Sequence, residues 1–179
     1  MVGQGMCLCR EGAYAVCLGH ERKEMQRSPV QFSETSPCNA TAMRKASRRL
    51  TQLYDAALEP CGLRSTQFAI LAELDRRRAT PPTMVELARA LVVDRSALGH
   101  NLRPLERDEL IALEESEEDR RRRHVALTPQ GKARLVKARR LWARAQERFN
   151  AVFGESEATQ LRSVLLRIAN DERLARLRD

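Results

Sequence analysis

TMVELARALVVDRSALGHNLRPLERDELI, Thr83 to Ile111, holds two short amphipathic patterns with almost nothing between them. Thr83 and Glu86 have the spacing of a capping box, in which the hydroxyl accepts from a free backbone N–H and the carboxylate reaches back to another. A helix therefore starts here, and ELARAL continues it. Asp94 is placed to cap a second helix, because its carboxylate can accept from the free N–H groups at that end. In this second helix Leu98, Leu102 and Leu105 share one stripe, which leaves Arg95, Ser96, Gly99, His100 and Arg103 facing outward. The spacing describes a helix-turn-helix jointed at Val92-Val93, without the glycine often found in such turns. Pro104 removes one hydrogen bond and predicts a kink.

Working outward, LIAL (Leu110 to Leu113) and HVAL (His124 to Leu127) read as two short antiparallel strands. Their connection reverses its charge midway, five carboxylates between Glu114 and Asp119 running into four arginines, Arg120 to Arg123. Thr128 followed by Pro129 is an N-cap with proline at the first helical position, opening a helix to about Phe153, where Gly154 suits its end. Its basic residues are Lys132, Arg134, Lys137, Arg139, Arg140, Arg144 and Arg148, against Glu147 alone, while Leu141, Trp142, Ala145, Phe149 and Val152 suit packing. The early cations are within reach of phosphates or form a solvated face. A last helix from about Ser156 carries Leu161, Val164, Leu165, Ile168 and Leu177.

Upstream, Met43, Ala46, Leu50, Leu53, Tyr54, Ala57 and Leu58 recur at helical steps and predict an amphipathic helix ending near Pro60. A further helix is expected from Ser65 as N-cap, with Phe68, Leu71 and Leu74 on one face, before the Thr80-Pro81-Pro82 break. The fold class is mainly α with a small β-hairpin wing: a winged helix-turn-helix held between helical ends.

Composition agrees. The 179 residues are 42% hydrophobic and only 4% aromatic, enough for an aliphatic helical core. A formal charge of +8 suits a polyanionic partner without identifying it. No stretch approaches a membrane span or a signal-peptide core, so a cytoplasmic protein is expected. Four of the five cysteines, Cys7, Cys9, Cys17 and Cys38, precede residue 40, and no disulfide framework is expected in a reducing compartment. Residues 1–36 show no sustained period and read as a disordered tail. Glu21-Arg22-Lys23-Glu24 can be encoded by purine-only codons resembling a ribosome-binding site just ahead of Met25, so translation is expected to start at Met25, leaving residues 1–24 untranslated. N-terminal sequencing of the native protein decides this, and a mature end at Met1 or Val2 refutes it.

Three segments then resemble one family: YDAALEPCGLRSTQFAIL from Tyr54, TMVELARALVVDRSALGHNLRPLERDELI from Thr83, and EEDRRRRHVALTPQGKARL from Glu117. Together they resemble the MarR (multiple antibiotic resistance regulator) transcription factors over about Thr41 to Leu177. Most specific is the wing motif D-x-R followed by LTxxG, here Asp119, Arg121 and LTPQG. The resemblance implies a MarR-type region at 37–179, with dimerisation helices at 41–60 and 129–177 and the winged helix-turn-helix at 61–128. It implies a homodimer on double-stranded DNA carrying a pseudo-palindromic operator, and a repressor released by a small hydrophobic effector or by thiol oxidation. It also implies that Arg121 enters the minor groove while Asp119 holds it, since a narrow groove concentrates negative potential. Arg95, Ser96, His100 and Arg103 are the expected major-groove contacts, with Arg103 on phosphate as the alternative. Where the family commonly has glycine after this helix, the chain has Glu109.

Tyr54, Phe68 and Trp142 are candidates for the ligand cleft, and at helical spacing they equally fit plain core. Cys38, near a helix start where the dipole can lower a thiol pKa, is the redox candidate. Counting from Thr51, Tyr54 and Gln67, however, the sensing cysteine of the organic-peroxide-responsive members falls near Ala40. Cys7, Cys9, Cys17 and His20 do not form a common zinc spacing, and neither a metal nor a cofactor is expected. An enzyme is disfavoured: the three histidines come with no phosphate loop, nucleophile elbow or HExxH, and His100 and His124 fall on expected DNA-facing elements. The rival reading is a winged-helix protein-interaction module without specific DNA binding.

Overall fold

The computed structural model describes residues 38–115 and 123–176. The N-terminal tail with Met25, Cys7, Cys9, Cys17 and His20, the wing residues Asp119 and Arg121, and Leu177 lie outside the described residues. Among the described residues the chain is mostly helical with one hairpin. The element order is α1 Asn39–Leu58, a 3-10 turn Glu59–Cys61, α2 Ser65–Arg76, α3 Met84–Leu91, α4 Arg95–Arg107, β1 Ile111–Glu115, β2 Arg123–Leu127, α5 Pro129–Phe153, α6 Glu155–Ala169 and α7 Glu172–Arg176.

Three of the expected caps form. The Glu86 N–H donates to Thr83 Oγ1 at 3.3 Å and the Thr83 N–H to Glu86 Oε2 at 2.8 Å, and Asp94 Oδ1 accepts from the Ala97 N–H at 2.7 Å. Thr128 Oγ1 accepts from the Gly131 N–H at 2.9 Å. The expectation at Ser65 is corrected. Arg64 occupies the N-cap of α2, and its N–H donates to Gln67 Oε1 at 2.9 Å. Ser65 is the first helical residue, and its N–H donates at 2.7 Å to Asp55 Oδ1 on α1. A carboxylate ten residues upstream supplies the acceptor that a local reading gives to serine.

One core unites the middle of the chain. Leu71 and Leu74 of α2, Leu87 of α3, Leu98, Leu102 and Leu105 of α4, Leu110, Ile111 and Val125 are all buried, joined by Leu58 and Leu135 from the flanking helices. A fully buried leucine contributes about 1.5–3 kcal/mol relative to exposure, so the three leucines of α4 fix which face of that helix looks outward. β1 and β2 pair antiparallel, with Ile111 opposite Leu127 and Leu113 opposite Val125. The Val125 N–H also donates to the Pro82 carbonyl at 2.9 Å, tying the hairpin to the segment that leads into α3.

Two turns hold side chains in left-handed backbone. Val92 has φ 53° in the helix-turn-helix joint, and Glu109 has φ 55° after α4, where glycine would relieve the contact with the backbone. A single non-glycine residue there costs about 1–2 kcal/mol. Val92 is 62% exposed, so trimming it sacrifices little packing. Val92→Gly, and in the same direction Glu109→Gly, is expected to stabilise the fold by about 1 kcal/mol. Urea unfolding measures this, and a midpoint that stays put or falls contradicts the strain.

The C-terminal end departs from the single helix expected from Ser156. It breaks at Asn170-Asp171, where Asp171 Oδ1 accepts the Arg173 N–H at 2.9 Å and the two Asp171 oxygens also take its guanidinium. A carboxylate that satisfies the backbone locally competes with continuing the helix. The apolar stripes at both ends are also less covered than packing positions suggest. Met43 is exposed on α1, as are Val152 and Phe153 on α5 and Val164, Leu166 and Ile168 on α6, whereas Ala145 is buried and Leu141 and Phe149 are half-buried. No helix among the described residues is long and apolar enough to cross a membrane.

Candidate nucleic-acid interface

On α4 the side chains of Arg95, Ser96, His100 and Arg103 are all exposed, opposite the buried leucine stripe. The Asp94 cap holds the N-terminal turn, whose free N–H groups and dipole favour an anion. Asn101, not singled out from sequence, turns inward: its Nδ2 donates to the Ala97 carbonyl at 2.8 Å, and its Oδ1 accepts from Thr66 Oγ1 of α2 at 3.3 Å. Asparagine within a helix was the available signal, because its side chain must either point to solvent or bond the backbone. This bond adds a polar contact between α4 and α2 beside the leucine stripe that orients α4.

The wing is anchored at its base. The Thr128 N–H donates to the Leu110 carbonyl at 3.2 Å, and Thr128 Oγ1 donates to the Glu109 carbonyl at 2.7 Å while capping α5. Gly131 lies so close that a Cβ there would overlap the Leu110 carbonyl oxygen. The LTPQG stretch thus fastens the end of β2, the start of α5 and the strand after α4 at one point. Arg123, at the start of β2, is exposed beside the connection that carries Asp119 and Arg121.

His124 lies on β2 of the hairpin; it is half-buried, and its Nδ1 lies 2.9 Å from the Pro81 carbonyl, to which the ring N–H donates. It holds the hairpin to the residues before α3. The base of the wing is thereby fixed on a second side.

Away from α4, Tyr54, Trp142 and Phe68 come together as a stack, with ring centroids 6.4 Å apart for Tyr54–Trp142 and 5.8 Å for Phe68–Trp142. The Tyr54 hydroxyl donates to Gln146 Oε1 at 2.7 Å, and burial pushes the phenol above its ordinary pKa. The rings pack on one another where α1, α2 and α5 meet. Cys38 stands exposed at the N-cap position of α1, where the nearby Thr41 hydroxyl and N–H lower its thiol pKa, the N–H itself donating to the Cys38 carbonyl at 3.1 Å. Cys61 is buried, its thiol bonded to the Leu58 carbonyl at 3.0 Å.

A family model described as the MarR family matches residues 62–122. Among solved structures, the M. tuberculosis transcriptional regulator MosR, crystallised in complex with DNA, is 34% identical with a TM-score of 0.68, covering 78% of this chain and 98% of its own. The transcriptional repressor CouR, bound to a 23-mer DNA duplex, is 30% identical with a TM-score of 0.69, covering 80% of this chain and 100% of its own. MarR from E. coli, 22% identical over 73% of this chain and 96% of its own, shares the fold with a TM-score of 0.60. No curated protein sequence matches the chain. The extent of these likenesses identifies the chain as a member of the MarR family, a winged helix-turn-helix DNA-binding transcriptional regulator and not an enzyme.

Proposed function

We propose that the chain is a homodimeric repressor of its own or a neighbouring operon, reading a pseudo-palindromic operator with α4 and the wing. The observation that carries this is the outward face of α4, where Arg95, Ser96, His100 and Arg103 stand exposed beside an anchored hairpin. In this reading residues 61–128 are the DNA-binding domain, and 41–60 and 129–177 are the dimerisation helices. Uncovered apolar side chains on α1, α5 and α6 support pairing with a second copy, which would take them out of water. A two-fold dimer sets two recognition helices one DNA turn apart, ~34 Å.

Arg95, Ser96 and His100 contact base edges and Arg103 a phosphate; Arg121 enters the minor groove, oriented by Asp119. The test is titration of duplexes from the gene's upstream region at several salt concentrations. Arg121→Ala is expected to weaken operator binding by about 1–3 kcal/mol, roughly 5- to 150-fold. Arg103→Ala is expected to weaken all sequences alike and lower the salt slope by about 1. Binding that is weak, indifferent to sequence and unchanged by Arg121→Ala favours the interaction-module reading instead.

Release from DNA follows from a small molecule at the junction of the terminal helices with the winged domain. CouR, in a structure 26% identical to this chain, is bound to p-coumaroyl-CoA, which supports effector control. In this reading the stacked Tyr54, Phe68 and Trp142 are the apolar side chains that such a ligand would meet. Oxidation of Cys38 is the second route, since an exposed thiol with a lowered pKa is the form that reacts. Peroxide is expected to reduce the DNA affinity of the wild type and not of Cys38→Ser, and equal responses reject this route.

A further inference from the structure

Beside Leu141, on the side of α5 that faces the 3-10 turn, lies an open cavity of about 580 Å³. Its wall from α5 carries Arg134, Lys137, Arg140 and Arg144, and no carboxylate among the described residues lines it. Residues three and four apart on a helix are neighbours, so Lys137 and Arg140, and Arg140 and Arg144, repel one another along this face. None of the ion pairs among the described residues takes up any of the four, whereas Arg139, on the same helix, is paired with Asp75 at 2.7 Å. The arrangement is also partly fixed. Arg134 Nη1 donates at 2.7 Å to the carbonyl of Cys61, so one guanidinium is held across the cavity by the turn that leads from α1 into α2. From Arg134 to Arg144 the cations span ~15 Å of helix, the length of an extended chain of charges and not of one carboxylate.

We propose that this cleft binds a small molecule bearing two or more phosphate groups. The guanidinium forks give paired, charge-assisted hydrogen bonds to phosphate oxygens, and Lys137 adds a point charge. Leu141 offers an apolar wall for whatever is attached to the phosphates. Volume and position suit such a ligand, since the cavity lies within the range of small-molecule sites and is bounded by α5 on one side and the α1–α2 turn on the other. The proposal deepens the effector-release reading and rests on it for its biological meaning: it gives the effector a phosphate-rich part, held apart from the Tyr54–Trp142–Phe68 stack.

The experiment is calorimetric titration of the full-length protein with inorganic tripolyphosphate at physiological salt, with operator affinity measured in parallel. The wild type is expected to bind with saturation at one site per chain. Arg140→Ala with Arg144→Ala is expected to weaken binding by roughly tenfold or more. Arg148→Ala, which removes a cation from the same helix outside the cleft, is expected to leave it unchanged. Absence of saturable binding, or equal weakening by Arg148→Ala, overturns the proposal and leaves only diffuse attraction to a basic protein. Loss of operator affinity in the double variant without any tripolyphosphate binding also overturns it, and gives these cations to DNA phosphates. If the wild type binds tripolyphosphate but no operator, the repressor reading fails while the anion site stands.

Discussion

Gly131→Ala is expected to destabilise the protein by about 3 kcal/mol or more, lowering Tm by roughly 10 °C. The added methyl would overlap the Leu110 carbonyl oxygen, a backbone atom with little freedom, because that oxygen accepts the Thr128 N–H and its neighbours are buried. The Leu127 Cδ1 atom, 2.8 Å from the same point, would have to move as well. Relief requires separating α5 from the strand that follows α4, which unmakes the clamp at the base of the wing. Gly99 is the internal control, since an added Cβ there meets nothing within 4 Å in the middle of α4. Gly99→Ala should stabilise by up to about 1 kcal/mol through helix propensity alone. Calorimetry on the pair distinguishes close approach from a general intolerance of alanine; a Gly131→Ala protein melting with the wild type would refute the close approach.

A second large effect is expected at the end of the chain. Val164 and Ile168, one turn apart on α6, are 41% and 43% exposed, an uncovered apolar pair that the proposed second copy would bury. Val164→Glu combined with Ile168→Glu would place unpaired charges in that seam, at a cost of several kcal/mol for each buried charge. Sedimentation should then report a monomer at concentrations where the wild type is a dimer. Operator affinity should fall by more than about a hundredfold, as two linked half-sites become one. A double variant that remains dimeric would place the dimer seam elsewhere.

Much of the winged domain is legible in the sequence because its signals are local. Thr83 with Glu86, Asp94 and Thr128-Pro129 each announce a helix through bonds closed within three or four residues, and all three caps form. The leucine stripe of α4 is read correctly for the same reason. What is not legible depends on partners outside the local pattern. Ser65 stands inside the helix behind the Arg64 cap, its own N–H taken by Asp55 ten residues upstream, and the Pro81 carbonyl that His124 meets lies 43 residues away. Periodicity finds the apolar faces of α1 and α6 but cannot say whether the same chain or another copy covers them. The cationic cleft was visible only as a list of basic residues on α5, because the turn opposite Arg134 arrives from 73 residues earlier.

The central claim is that the exposed face of α4 and the wing read a DNA sequence. Its most direct test is the ratio of affinities for the upstream operator and for scrambled DNA of equal length, measured at physiological salt. The account predicts a ratio of about a thousand or more, with a protected palindrome at its centre. A ratio near one, with both affinities falling together as salt rises, would mean that the cations attract DNA without reading it.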